Sequence, residues 1–143
     1  MIHGPVTLIS VAAPQNFTAA WADLGGEIRI YEKSDKRHNF STIGLFLNLD
    51  INDSTDLRIR ALAKHTEAGA DEYVLPIRTV SASDVKVEDE YIEFNDDANQ
   101  KVLIEIDTSG LIQVVQFQIM AGVLGAGVAA QVDSAFYNLG RQL

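Results

Sequence analysis

The chain has 143 residues, 47% of them hydrophobic and 22% charged, and a net charge of −9. That length suits one domain with a substantial core, and the composition excludes a disordered chain. There is no cysteine, so disulfides and thiolate metal sites are excluded and stability has to come from packing and backbone pairing.

The charge is unevenly spread. Residues 84–107 hold nine acids and two bases, whereas residues 108–143 hold only Asp133 and Arg141. Nucleic-acid binding needs a basic footprint against the phosphates, and none is visible. The acidic block reads as a solvated face that keeps the protein soluble, in preference to a cation-binding or partner-steering surface. The opening Met-Ile-His-Gly-Pro lacks the basic and long apolar segments of a signal peptide, so synthesis in a cytoplasm is expected.

In chain order, residues 5–11 (PVTLISV) alternate and are rich in β-branched side chains, which predicts a first strand ended by Pro14. Residues 17–24 (FTAAWADL) read as strand over a short Asn16-capped helix. Gly25-Gly26 marks a turn, and residues 27–33 (EIRIYEK) alternate with Ile28 and Ile30 on one face. Residues 42–65 (TIGLFLNLDINDSTDLRIRALAKH) predict a hairpin at the centre of the fold. Its first strand puts Ile43, Leu45, Leu47, Leu49 and Ile51 on one face and Phe46, Asn48 and Asp50 on the other. Its second buries Leu57, Ile59, Ala61 and Ala63 and turns Arg58, Arg60 and Lys64 to water.

Further strands are predicted over residues 72–79, 85–87, 90–95 and 101–107, with Pro76 confining the first of these to an edge or a bulge. Residues 111–121 (LIQVVQFQIMA) alternate again, with Val115, Phe117 and Ile119 opposed to Gln116, Gln118 and Met120. Residues 129–139 close the chain with Val132, Ser134, Phe136 and Asn138 on one face. Eight to ten short strands without a strong helix predict a single all-β domain over 1–143, an antiparallel β-sandwich or barrel.

Each cluster of chemically useful residues has a plainer reading beside it. The turn containing Asp50, Asp53 and Asp56 is dense in oxygen ligands of the kind calcium takes. Thr55 and Ala61 stand where the EF-hand loop requires Gly and Glu, so a turn built from Asx and Ser/Thr side chains is the stronger expectation. His3, His38 and His65 have no ligand spacing. No serine sits in a G-x-S-x-G elbow. Glu88, Asp89, Glu90, Glu93, Asp96 and Asp97 read as an exposed strand face before a glycosidase pair. The glycines of residues 122–127 match no nucleotide-binding loop. The uncharged run 111–132 carries three early glutamines and a period of two, which argues against a membrane span. Trp21, Tyr31, Tyr73, Tyr91 and Tyr137 are scattered, so packing is expected over a sugar-stacking platform. The charge-free face of Gln116, Gln118 and Met120 fits either a subunit interface or a strand covered by its own chain.

The runs WADLGGEI (21–28), LDINDSTDLRIR (49–60), DEYVLPI (71–77), EYIEF (90–94) and VQFQIMAG (115–122) resemble small jelly-roll proteins of tailed bacteriophages, a group of capsid-decoration and head- or tail-associated proteins. The resemblance covers roughly residues 20–138. It implies a jelly-roll sandwich, self-association, often as trimers, and docking on a major capsid or tail protein in the virion. It transfers no functional residue, because the group shares no active-site motif. The expected function is therefore non-enzymatic virion structure, with an interface at Gln116, Gln118 and Met120. On this expectation, Gln116→Lys or Gln118→Lys breaks assembly and leaves the monomer folded. The alternative is a carbohydrate-binding jelly roll using calcium at Asp50, Asp53 and Asp56.

Overall fold

The computed structural model describes residues 2–16, 18–30, 40–50, 57–64, 71–77, 79–81, 85–87, 90–94, 100–108, 114–121 and 131–140. Thirteen strands lie among them: β1 (Ile2–Ile9), β2 (Gln15–Asn16), β3 (Ala22–Asp23), β4 (Ile28–Arg29), β5 (Thr42–Asp50), β6 (Leu57–Lys64), β7 (Tyr73–Leu75), β8 (Thr79–Ser81), β9 (Val85–Val87), β10 (Ile92–Phe94), β11 (Gln100–Asp107), β12 (Val114–Ala121) and β13 (Gln131–Gly140). Every pairing is antiparallel.

One sheet runs β1-β13-β5-β11-β8, with β2 also on β13. The other runs β3-β12-β6-β10-β9, with β4 also on β12 and β7 on β6. Taking β3 and β4 as two pieces of one edge strand and setting β2, β7, β8 and β9 aside, eight segments remain in jelly-roll order. The first, last, third and sixth of them form one sheet, and the second, seventh, fourth and fifth form the other.

Alternation explains the core. Ile43, Leu45, Leu47 and Leu49 of β5 are buried, and so are Leu57, Ile59, Ala61 and Ala63 of β6. All of these except Ala63 meet Ile92 and Phe94 of β10, Val102, Ile104 and Ile106 of β11, and Val115, Phe117 and Ile119 of β12, in one cluster between the sheets. Burying each large aliphatic or aromatic side chain contributes about 1.5–3 kcal/mol.

The expected hairpin over 42–65 does not form. β5 pairs with β11 and β13, while β6 pairs with β10, β12 and β7. The two strands face each other across the core from opposite sheets. A period of two states which side chains go inward; it does not state which strand lies alongside. Both apolar faces are buried equally well on one core from two sides.

Pro76 also acts more strongly than an edge marker. The strand expected over residues 72–79 splits into β7 and β8, which join opposite sheets, and Pro76 lies between them. In β13, a register shift between Val132 and Ser134 breaks the expected common face. Val132 packs in the core, while Ser134 is paired with outward-facing Asn48. Of the expected strand over 17–24, the described residues form strand at Ala22–Asp23 alone, and single backbone hydrogen bonds tie Thr18 to Ala121 and Leu24 to Phe117 on either side of it.

Gly25 closes the turn before β4 with φ +63°. A Cβ there would stand 2.7 Å from Leu8 Cδ1 and 3.0 Å from the Leu8 carbonyl oxygen. Left-handed backbone and close approach to β1 both call for glycine.

Candidate functional site

The outer faces of the two sheets are built differently. On the β3–β9 sheet, alternation turns Arg58, Arg60, Leu62 and Lys64 of β6 outward, opposite Met120, Gln118, Gln116 and Val114 of β12. Arg60 donates to Gln118 Oε1 from Nε at 2.9 Å and from Nη2 at 2.6 Å. Gln118 Nε2 in turn donates to Asp23 Oδ1 at 2.9 Å. The Arg60 guanidinium lies 4.3 Å from the ring centroid of Trp21. Arg58 sits 5.1 Å over Tyr91 and reaches Glu93 Oε1 at 3.4 Å. Trp21 and Tyr91 have ring centroids 6.2 Å apart. The result is a closed layer of cations, aromatics and amides on one face.

Gln116 and Gln118, expected at a subunit contact, lie inside this layer at 2% and 9% exposure. Gln116 Nε2 donates to the carbonyl oxygens of Phe117 at 3.0 Å and Gly25 at 3.4 Å. The Gln116 amide nitrogen and both polar atoms of Gln118 are thus engaged by their own chain. Met120 is half-buried. The strand covered by its own chain is therefore the arrangement observed at both glutamines.

Lys64, expected to face water, is buried. Its Nζ donates to Glu27 Oε1 at 2.8 Å and stands 3.8 Å from Glu72 Oε1. Its pKa is raised. The hydrogen bond to Glu27 is the largest cause, and the negative charges of Glu27, Glu72 and Asp23 add to it against burial, which lowers it. A raised folded-state pKa means a contribution that is whole below the unfolded value of about 10.4 and is lost as pH rises through the folded value. The melting temperature of Lys64→Met therefore trails wild type by a constant margin from about pH 6 to about pH 9, and the gap closes above about pH 10.5. A thermal-melt series across pH checks this. A gap that stays unchanged into strong alkali would remove the ion pair from the account.

The outer face of the other sheet carries three cross-strand rows. Leu103 of β11, Phe46 of β5, Phe136 of β13 and Thr7 of β1 align in the middle one. Lys101, Asn48 and Ser134 align on one side of it, and Glu105, Gly44 and Asn138 on the other. Phe46 is 42% exposed on the central strand of the sheet. A depression of about 220 Å³ flanks it beside Asn48 and Lys101, and another of about 230 Å³ lies over Gly44 and Glu105. Asn48 Nδ2 donates to Ser134 Oγ at 2.6 Å. Asn138 Oδ1 is buried with no hydrogen-bond partner. Phe46 occupies a position of polar parity in β5, and that is the signal by which the row is legible in sequence.

Of the calcium set, Asp50 is half-buried at the end of β5, and Asp53 and Asp56 lie outside the described residues. No group of three or more acidic or histidine side chains converges among the described residues. Glu93 pairs with Arg58 and Glu90 is exposed. Glu88, Asp89, Asp96, Asp97, His38, His65, Tyr31 and the glycines of 122–127 lie outside the described residues, as does the His3 side chain. Of the five aromatics considered for sugar stacking, Trp21 and Tyr91 come together; Tyr73 is exposed and Tyr137 packs against the core.

Comparison with known proteins finds no matching family model, no matching curated protein and no matching solved structure.

Proposed function

We propose that this jelly-roll sandwich is a non-enzymatic assembly module, a structural or decoration protein of a tailed-phage virion that self-associates and docks on a capsid or tail protein. Jelly rolls host many functions, so the strand order alone does not carry the reading. The observation that does is the apolar row Leu103–Phe46–Phe136 on the outside of a sheet whose polar side chains leave it uncovered. Exposed apolar rows rimmed by polar residues are typical of protein contact surfaces. The bacteriophage-like sequence runs supply the kind of assembly.

Two measurements test the reading. Light scattering is expected to give a mass above one chain at tens of micromolar, and the protein is expected to sediment with phage particles. A single-chain mass together with absence from particles overturns it. The carbohydrate-binding alternative, with calcium at Asp50, Asp53 and Asp56, is separated by a glycan array with and without chelator. Glycan binding that is lost on chelation favours that alternative.

A further inference from the structure

We infer that the outer face of the β1-β13-β5-β11-β8 sheet is a two-fold self-docking surface, on which the Leu103–Phe46–Phe136 row of one copy packs against the same row of a second. This rests on the self-association proposed above and names its surface, its occupant and its symmetry.

The argument is one of self-complementarity. Lys101 and Glu105 sit on the same face of β11, two residues to either side of Leu103. Each is therefore about 6.6 Å along the strand from the apolar row, in opposite directions. Neither makes an ion pair with a described residue. A two-fold axis running along the row stacks the two sheets face to face and reverses strand direction between copies. Lys101 then meets Glu105 of the partner subunit, and Glu105 meets the partner's Lys101. The same operation lays Asn48 of the partner subunit over Gly44, where the missing side chain leaves the 230 Å³ depression. A Cβ on Gly44 would make only ordinary contacts, at 3.7 Å to Phe46 and 3.8 Å to Leu103. Charge pairs with charge, the small residue faces the larger one, and the apolar row faces itself.

The area is adequate for a contact that forms and dissociates. Four strands of about eight residues span about 19 Å by about 27 Å, or about 500 Å² per copy and about 1,000 Å² in all, near the lower bound for a specific interface. A two-fold contact of this kind gives a dimer, in contrast to the trimer implied by the sequence resemblance.

Sedimentation velocity over a concentration series tests the inference, with circular dichroism as the fold control. Wild type is expected to show a concentration-dependent dimer, and Phe46→Glu a folded monomer. Lys101→Glu and Glu105→Lys are each expected to weaken dimerisation at least about tenfold, because each places like charges together twice. The double variant Lys101→Glu/Glu105→Lys is expected to restore it. The charge reversals carry the test on their own if Phe46→Glu fails to fold. A monomeric wild type overturns both this inference and the self-association reading. Oligomers indifferent to all four variants, a three-chain particle, or a double variant as weak as the single ones overturn the two-fold surface and leave self-association standing.

Discussion

Replacing Phe117 with alanine is expected to lower the unfolding free energy by about 3–5 kcal/mol. Phe117 lies mid-strand in β12 at 1% exposure and points into the core. Its opposite number on β6 is the small Ala61, so the ring fills space that its neighbour leaves open. Its carbonyl accepts from the Leu24 amide at 2.8 Å, and β12 is flanked by β6 on one side and by β3 and β4 on the other. A strand held on both edges cannot shift to close the gap, so the cavity term adds to the lost transfer energy. Phe46→Ala is the matched control: the same truncation on the outer face of β5, at 42% exposure, is expected to cost less than about 1 kcal/mol. Urea titration of both variants reads the difference as a midpoint shift at constant slope. Equal losses would contradict the assignment of the two phenylalanines to opposite faces. Against a total stability of about 5–15 kcal/mol, the Phe117 loss is severe.

Inward faces were legible from alternation and pairing partners were not. The inward sets of β5, β6 and β12 follow directly from a period of two, because every second side chain must share a face. β5 pairs with β11 and β13, which lie about sixty and about ninety residues away along the chain, and a local pattern does not record such contacts. Phe136 faces opposite to Val132, against strict alternation, because a one-residue bulge reverses parity without leaving a sequence mark. The burial of Lys64 is likewise invisible to alternation, which turns it to water. Its burial depends on Glu27 from β4's approach and Glu72 ahead of β7, neither of which is adjacent to it in the chain.

The two outer faces account for the shift in the functional reading. A strand face without charge has two physical origins: it awaits a partner, or its own chain already satisfies it. On β12 the second holds at both glutamines: both are buried, Arg60 and Asp23 engage Gln118, Gly25 and Phe117 accept from the Gln116 amide, and Trp21 lies over Arg60. The outer face of β5 has the opposite character. Its exposed ring is flanked by depressions and by a cation and an anion without ion-pair partners among the described residues. Among the described residues, the exposed ring flanked by a cation and an anion without ion-pair partners therefore lies on the β5 sheet and not on β12.

That contrast reverses the outcome expected for Gln118→Lys. Read as an interface change, it breaks assembly and leaves the monomer as stable as before; read from the structure, it destabilises the monomer itself. The substitution removes the oxygen that accepts both Arg60 bonds and places an ammonium against the guanidinium at a position 9% exposed. Asp23 offers the new cation a partner, which offsets part of the loss. Losing a hydrogen bond to a charged group costs about 1.5–3 kcal/mol, and a partly buried like-charge contact adds to that, so roughly 3 kcal/mol is expected. Gln118→Met keeps the volume and adds no charge, and is expected to lose about half as much. A double-mutant cycle with Arg60→Met isolates the coupling, expected at about 1–2 kcal/mol. Denaturant titrations of the four proteins supply the numbers. A Gln118→Lys variant as stable as wild type but altered in oligomeric mass would return β12 to the surface of assembly and displace the β5 row from that role.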